Sequence, residues 1–158
     1  MKRIRLFISD VDGVMTDSGM YYTNNGDEFK KFNTRDGMGF ELLRNDNILT
    51  AIMTSESTKI VENRARKLNI DFVRQGQKFN GKLNSAITLC NELNISLNEV
   101  AYIGDDINCI ELLKNVGLAA CPSDAHFKVK NIPGILILNT KGGEGVVREF
   151  VEIILGVV

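Results

Sequence analysis

Residues 4–13 read Ile4-Arg5-Leu6-Phe7-Ile8-Ser9-Asp10-Val11-Asp12-Gly13, a largely apolar run without alternation that ends in two carboxylates. Such a run is typical of a strand that is buried on both faces of a parallel sheet. In an open parallel α/β sheet, ligands bind at the carboxyl ends of the strands. The stretch therefore predicts a buried first strand with Asp10 and Asp12 placed where chemistry is expected.

Apolar runs of the same kind alternate with segments of helical period along the rest of the chain. We predict further strands at 48–53, 72–73, 100–103, 118–121 and 135–138, and helices at 40–44, 57–68, 82–93, 110–114 and 146–155. Alternating strands and helices are typical of an α/β layer sandwich with right-handed crossovers. We therefore predict one domain, residues 1–158, with a three-layer, Rossmann-like α/β fold and a mostly parallel central sheet.

One segment interrupts this alternation directly after the first strand. Residues 20–22 and 29–32 contain aromatic side chains and flank Asn24-Asn25-Gly26. An Asn-Gly pair between two such runs is typical of a β-hairpin. We predict a protruding β-hairpin that acts either as a lid or as an oligomer contact.

Composition excludes several classes of function. The 158 residues are 44% hydrophobic and 25% charged, and 19 Lys and Arg balance 20 Asp and Glu to a net charge of -1. This charge provides no basic excess for nucleic acid, and no apolar run approaches the ~20 residues of a membrane span. The N-terminus does not resemble a signal peptide. Cys90, Cys109 and Cys121 have no CxxC spacing, so we expect reduced thiols in a cytoplasmic protein.

A second pair of carboxylates, Asp105-Asp106, follows the predicted strand at 100–103. If that strand lies beside the first one, four acids share a single crevice. At an effective dielectric of ~20, two like charges about 4 Å apart repel by roughly 4 kcal/mol, and several such pairs would cancel a domain's whole stability. A cation is therefore required, and an all-oxygen site suits Mg²⁺. The alternative is that these acids are solvated turn residues or helix caps.

Hydroxyl groups and a lysine follow other predicted strands. Thr54-Ser55 ends the strand at 48–53 and can hydrogen-bond a phosphoryl oxygen, while Lys82 opens the helix at 82–93. Each has an ordinary alternative, because Thr54 also suits a helix cap and Lys82 a solvated surface. Together with the carboxylates, however, they form the set that phosphoryl transfer needs: nucleophile, metal, hydroxyl and cation.

Four motifs thus stand in order along the chain: Asp10-Val11-Asp12-Gly13-Val14-Met15-Thr16-Asp17, Thr54, Lys82 and Gly104-Asp105-Asp106. In order and spacing they resemble the motifs of the haloacid dehalogenase superfamily of phosphatases, over nearly the whole chain. The hairpin and the stretches at 30–37 and 141–149 resemble the small ulosonic acid phosphatases of that superfamily. Those enzymes act on 3-deoxy-octulosonate 8-phosphate (KDO 8-phosphate) or on nine-carbon relatives.

The resemblance implies a role for each motif residue. Asp10 would attack phosphorus and carry a transient aspartyl-phosphate, and Asp12 would act first as general acid and then as general base. Mg²⁺ would be held by Asp10, the backbone carbonyl of Asp12, and Asp105. The remaining residues would bind the phosphoryl group (Thr54 and Lys82), support the metal ligands (Asp106 and Asn108) or contact the substrate (Thr16 and Ser55).

The chain leaves no room for an inserted cap domain between Asp12 and Thr54 or between Thr54 and Lys82. A single subunit would therefore leave the crevice open to water, whereas phosphoryl transfer favours a shielded site. The resemblance implies a homotetramer in which the tail of one subunit reaches an adjacent active site. Its candidate substrate contacts are Lys141, Gly142, Gly143 and Arg148. For Gly142-Gly143, the alternative is a plain loop that leads into the last helix.

The residue after Thr54-Ser55 favours a nine-carbon substrate. The octulosonate phosphatases that the chain resembles typically have arginine at this position, and an arginine suits a substrate carboxylate. Glu56 has the opposite charge. Glu56 together with Lys67 resembles the phosphatases of 2-keto-3-deoxynononate 9-phosphate (KDN 9-phosphate) and N-acetylneuraminate 9-phosphate. Lys67 stands ~16 Å further along a helix axis and also fits an ordinary surface lysine, and Arg64 is another candidate anion partner.

Two single residues bear on activity. Cys109 occupies the position where the family pattern has a final aspartate. If that aspartate only supports the metal ligands, its loss would weaken metal binding about 10–100-fold. If it is itself a metal ligand, its loss would weaken metal binding further. His126 is expected to be an ordinary residue of a surface turn.

Two classes compete with the sugar phosphatase. A signalling receiver domain also combines paired acids, a threonine, a lysine and Mg²⁺, but it needs its phosphate acceptor on a later strand than Asp10. A catalytically weak phosphatase-like module, associated with a sugar cytidylyltransferase, is compatible with Cys109. Activity that requires Asp10 would separate the enzyme from such a module.

Overall fold

The computed structural model describes residues 3–26 and 28–157 of the protein; Met1, Lys2, Asp27 and Val158 lie outside the described residues. The expectation about a signal peptide falls partly on those first two residues. Within the described ranges the strands are β1 (Leu6–Ser9), β2 (Tyr21–Tyr22), β3 (Glu28–Phe29), β4 (Leu49–Met53), β5 (Phe72–Arg74), β6 (Val100–Ile103), β7 (Leu118–Cys121) and β8 (Leu136–Ile137). The α-helices are α1 (Thr34–Asn45), α2 (Lys59–Lys67), α3 (Gly81–Leu93), α4 (Ile110–Leu113), α5 (Phe127–Lys130) and α6 (Val146–Ile154).

The central sheet has the order β5-β4-β1-β6-β7-β8, and each neighbouring pair is parallel. At the end of β1, Ser9 is in register with Ile52 of β4 and with Ile103 of β6. The segments that follow these three strands therefore leave the sheet at the same edge. This topology brings the residues after positions 9, 53 and 103 into one crevice.

Helices cover both faces of the sheet and complete three layers. Side chains of α1, α2 and α6 form one apolar cluster with the sheet, and side chains of α3, α4 and α5 form the other. On the first face, the Phe7 ring of β1 lies 5.7 Å from the Phe40 ring and 5.9 Å from the Phe150 ring, measured between centroids. Such aromatic pairs are favourable beyond the apolar area that they bury. The predicted three-layer α/β fold is confirmed.

Several predicted elements differ from the structure in their extent, and one short helix was not predicted. The helix predicted at 40–44 begins at Thr34, because the Asn33 side chain accepts a hydrogen bond from the Arg35 amide and caps it. A Cβ at Gly39 would lie 3.4 Å from the Arg148 Cα, so this glycine allows α6 to pack closely on α1. The strand predicted at 135–138 is shorter, and the single turn of α5 was not predicted.

The protruding hairpin is present between β1 and α1. Tyr21 pairs with Phe29 and Tyr22 with Glu28 in antiparallel register, and the Gly26 amide donates to the Thr23 carbonyl in the turn. Tyr22 is 64% exposed and Phe29 is 61% exposed. Between β1 and β4 the described residues form only this hairpin and α1, which leaves no cap domain there.

The remaining expectations about the whole chain concern thiols and membranes. Cys90, Cys109 and Cys121 are all buried and unpaired. Across the described ranges, every helix is too short or too polar to traverse a bilayer.

Candidate active site

A tight turn after β1 positions the first two carboxylates. The Asp10 amide donates to the Ile103 carbonyl, which fixes the turn to the end of β6. The amides of Val14, Met15 and Thr16 all point at the Val11 carbonyl, at 2.9 to 3.2 Å. The chain therefore reverses within a few residues and leaves Asp10 buried at the base of the crevice, with 4% of its surface exposed.

A buried lysine lies directly against the candidate nucleophile. Lys82, in the first turn of α3, is 1% exposed, and its ammonium donates to Oδ2 of Asp10. Burial lowers the pKa of Lys82, but the charge and hydrogen bond of Asp10 and the contacts with Cys109 together outweigh this effect, so its pKa stays above the ordinary value. Lys82 therefore supplies a fixed positive charge at the floor of the crevice.

Cys109 lies beside both Asp10 and Lys82. Its thiol donates to Asp10 Oδ2 at 3.0 Å, and its sulfur lies 3.4 Å from the Lys82 ammonium. Burial and the charge of Asp10 raise the pKa of Cys109 to about 12, so it is a neutral thiol at physiological pH. A neutral donor in this place cannot act as a nucleophile in competition with Asp10.

The acidic residues of the crevice form a suitable site for a divalent cation. Oxygen atoms of Asp10 and Asp105 and the Cys109 sulfur lie within 4.8 Å of one another. Burial, with the charges of Asp10 and Asp106, raises the pKa of Asp105 to about 8, and the charge of Lys82 opposes this shift only in part. Because Cys109 is a neutral thiol that donates to Asp10, a cation is better placed on the carboxylate oxygens than on its sulfur. Hard oxygen ligands of this kind suit Mg²⁺ and similar divalent ions.

Above these groups a cleft of about 270 Å³ opens to solvent. Thr54, which follows β4, is 1% exposed and lies at its wall. The Asn108 side chain donates to the Ser55 hydroxyl at 3.0 Å and so joins the ends of β4 and β6. The lining residues are Asp10, Asp12, Ser18, Thr54, Ser55, Glu56, Asp105, Asp106 and Asn108.

Comparisons with known proteins agree with this geometry. The family model of the haloacid dehalogenase-like hydrolases matches residues 46–150. The chain belongs to this family.

Relatives within the family are similar over almost the entire chain. The 3-deoxy-D-manno-octulosonate 8-phosphate phosphatase KdsC of Salmonella typhi is 40% identical over 155 residues, which cover 98% of this chain and 80% of the relative. The enzyme of that activity from Moraxella catarrhalis, solved with magnesium, phosphate and KDO, is 34% identical with a TM-score of 0.93, over 98% of this chain and 87% of the other. A cobalt-bound phosphatase from Haemophilus influenzae is 32% identical with a TM-score of 0.91, over 98% and 88%. The predicted resemblance and the prediction of a phosphomonoester hydrolase are confirmed.

Two residues predicted for this hydrolase's site have other contacts. The Thr16 hydroxyl is buried within the turn, where it accepts from the amides of Gly13 and Ser18, so it organises the turn and does not face the cleft. Asp106 accepts from the Ile107 amide and caps a short helical turn after β6, although it also reaches the cleft.

The candidate anion partners on α2 do not line the cleft. Arg64 donates to the Asn33 carbonyl at 3.1 Å and lies 5.3 Å from the centroid of the Phe32 ring, so it supports the start of α1. Burial lowers the pKa of Arg64. Lys67 is exposed at the last position of α2. Within one subunit neither cation lines the cleft, and their contact with substrate stays a prediction.

The tail residues lie behind the turn of the same subunit. The Gly143 amide donates to the Val14 carbonyl at 2.9 Å, and a Cβ at Gly142 would lie 2.0 Å from the Gly13 carbonyl oxygen. Both positions thus require glycine for close packing on the turn. Arg148 pairs with Glu152 at 2.7 Å, and Lys141 is exposed. Within one subunit these four residues do not enter the cleft.

One charged residue at the site has no role in the sequence-based prediction. The Lys30 ammonium lies 2.6 Å from Oδ1 of Asp12 and 3.3 Å from Oε1 of Glu28. Burial lowers the pKa of Lys30, but the hydrogen bonds and charges of Asp12 and Glu28 together raise it by more, so the net pKa is above the ordinary value. Its position directly after the hairpin, in the stretch 30–37, is a signal that sequence reasoning could have used.

Proposed function

We propose that this chain is a Mg²⁺-dependent phosphatase that removes the terminal phosphate from a 3-deoxy-ulosonic acid phosphate. The observation that supports it best is the contact between Asp10 and Lys82 at the floor of a cleft that also contains Asp105. A buried carboxylate with a fixed cation beside it and a metal site at its edge suits attack on a phosphate dianion.

The residues perform the reaction in two displacements. In the first, an Asp10 oxygen bonds to phosphorus, the bond from phosphorus to the sugar oxygen breaks, and Asp12 gives that oxygen a proton. In the second, Asp12 takes a proton from water, the water oxygen bonds to phosphorus, and the Asp10–phosphorus bond breaks to release inorganic phosphate. Thr54 and Lys82 hold the phosphoryl oxygens throughout. Mg²⁺, held by Asp10, Asp105 and the Asp12 carbonyl, would neutralise charge on the phosphoryl group.

The named relatives support KDO 8-phosphate as the substrate. A nine-carbon ulosonate 9-phosphate, of the KDN or N-acetylneuraminate type, is the second candidate. Glu56 favours it, because this carboxylate lines the cleft while no lysine or arginine does among the described lining residues. A carboxylate accepts hydrogen bonds from the hydroxyls of a longer sugar chain but repels a substrate carboxylate.

A side-by-side assay tests both levels of this proposal. Phosphate release from KDO 8-phosphate and KDN 9-phosphate is measured with Mg²⁺, with EDTA, and for Asp10→Asn. We expect release that requires Mg²⁺ and disappears in Asp10→Asn. Release from neither substrate would contradict the proposed function and favour a catalytically weak module beside a sugar cytidylyltransferase. The ratio of the two rates decides between eight and nine carbons.

We also propose a cytoplasmic homotetramer with active sites at subunit interfaces. The hairpin exposes the aromatic side chains of Tyr21, Tyr22 and Phe29, and exposed apolar patches mark interaction surfaces. A partner subunit placed on this surface would shield the open cleft, and its tail residues Lys141 and Arg148 would then be candidate contacts to substrate. Sedimentation of the wild type and of Tyr22→Ser tests the assembly, since a tetramer should weaken in the variant.

A further inference from the structure

Lys30 connects the hairpin to the carboxylate that the proposed function makes the general acid and base. Its side chain is fully buried, although Asp12 itself is 27% exposed. The ammonium donates to Oδ1 of Asp12 at 2.6 Å and to the Met20 sulfur at 3.3 Å. The residues before β2 and after β3 therefore meet at Asp12, and the lysine closes the base of the hairpin.

Glu28 provides Lys30 with a second anionic neighbour. Its Oε1 lies 3.3 Å from the ammonium, is buried, and has no hydrogen bond among the described residues. A buried carboxylate oxygen without a hydrogen bond is costly unless a charge compensates it. Lys30 supplies that charge, and two carboxylates in turn hold the lysine in one place.

We propose that Lys30 is a positioning residue that orients Asp12 to activate the water for hydrolysis of the acyl phosphate on Asp10. This inference rests on the roles given to Asp10 and Asp12 in the proposed function. Lys30 keeps all its protons during the step: the water proton goes to Asp12, the water oxygen bonds to phosphorus, and the bond to Asp10 breaks. Because the lysine occupies Oδ1, the other oxygen of Asp12 is left for the water.

Orientation of this kind matters because proton transfer requires close and aligned partners. Without Lys30, the Asp12 carboxylate can rotate about its side-chain bonds at a partly exposed site. A misplaced catalytic group costs about 10²-fold in rate for a displacement of only about 1 Å. With a leaving group that needs no proton, the loss should fall on hydrolysis of the aspartyl-phosphate and spare the attack by Asp10.

p-Nitrophenyl phosphate separates the two steps, since its leaving group departs without a proton. Rapid-mixing assays with Mg²⁺ compare the wild type, Lys30→Met, Lys30→Arg and the control Lys114→Met, an exposed lysine paired with Glu111. In Lys30→Met we expect a burst of about one nitrophenolate per site, followed by a steady rate about 10- to 100-fold below the wild type. Lys30→Arg should recover most of that rate, and Lys114→Met should match the wild type.

An equal loss of burst and steady rate in Lys30→Met, or no loss of either, would overturn the inference, as would an Arg variant as slow as the Met variant. Should Lys30→Met fail to fold, Lys30→Gln carries the same expectations. A wild type that shows a burst while Lys30→Met behaves identically contradicts only the role of Lys30. A wild type that releases phosphate from neither sugar acid contradicts the proposed substrates.

Discussion

Asp36 should make the protein less stable as the pH rises from about 4 to about 7. This side chain lies on α1, is 1% exposed, and accepts the Arg148 amide of α6 at Oδ1. Its Oδ2 is buried without a hydrogen bond among the described residues. Burial raises the pKa of Asp36 to about 6, only partly opposed by the hydrogen bond from Arg148 and the charge of Arg64.

The sign and size of the effect follow from this pKa. Below about pH 4 both the folded and the unfolded states hold the proton, so the group contributes its full stability there. As the pH rises, the unfolded state ionises first and stability is lost, until the folded group also ionises near pH 6. A shift of about two pKa units corresponds to about 3 kcal/mol at neutral pH. Asp36→Asn removes this titration and should gain that amount relative to the wild type between pH 4 and pH 7.

Urea unfolding at pH 4, 5, 6 and 7 measures the difference between the wild type and Asp36→Asn. The change of that difference with pH isolates the titration from any constant effect of the substitution. Asp46→Asn, at the exposed C-cap of α1, is the matched control and should leave the pH profile unchanged. A difference for Asp36→Asn that stays flat within about 0.5 kcal/mol would refute the reasoning.

Three further substitutions test the site. Lys82→Met leaves Asp10 and Asp105 without their buried cation, so urea unfolding should show a loss of about 3–5 kcal/mol, and an unchanged stability would contradict the pairing. Gly142→Ala places a Cβ against the Gly13 carbonyl, so unfolding should show a loss of at least ~2 kcal/mol, whereas Gly81→Ala, with no neighbour within 3.5 Å, should be neutral or stabilising. Cys109→Asp adds a negative charge beside Asp10, so titration calorimetry should show Mg²⁺ binding about 10-fold tighter, and weaker binding would contradict this account.

The sequence was sufficient to predict the crevice because its residues follow buried strands. Asp10, Thr54 and Asp105 each lie within two residues of the end of a largely apolar, buried strand, and parallel register alone places them at one edge. Contacts between side chains that are far apart in the sequence were harder to predict. Arg64 has the right charge and the right helix for an anion partner, but the apolar packing of α2 turns it toward Asn33 and Phe32.

The catalytic turn at 11–16 is contacted by both segments that the proposed assembly uses. From one side, the hairpin reaches Asp12 through Lys30. From the other, Gly142 and Gly143 pack on the backbone of residues 13–17, and Lys31 pairs with Glu144 of that tail at 2.8 Å. The hairpin and the tail thus both contact this turn, and a subunit docked on the hairpin would affect both contacts. Since a small displacement of Asp12 is enough to slow proton transfer, association and catalytic rate should change together, and Tyr22→Ser should lower both.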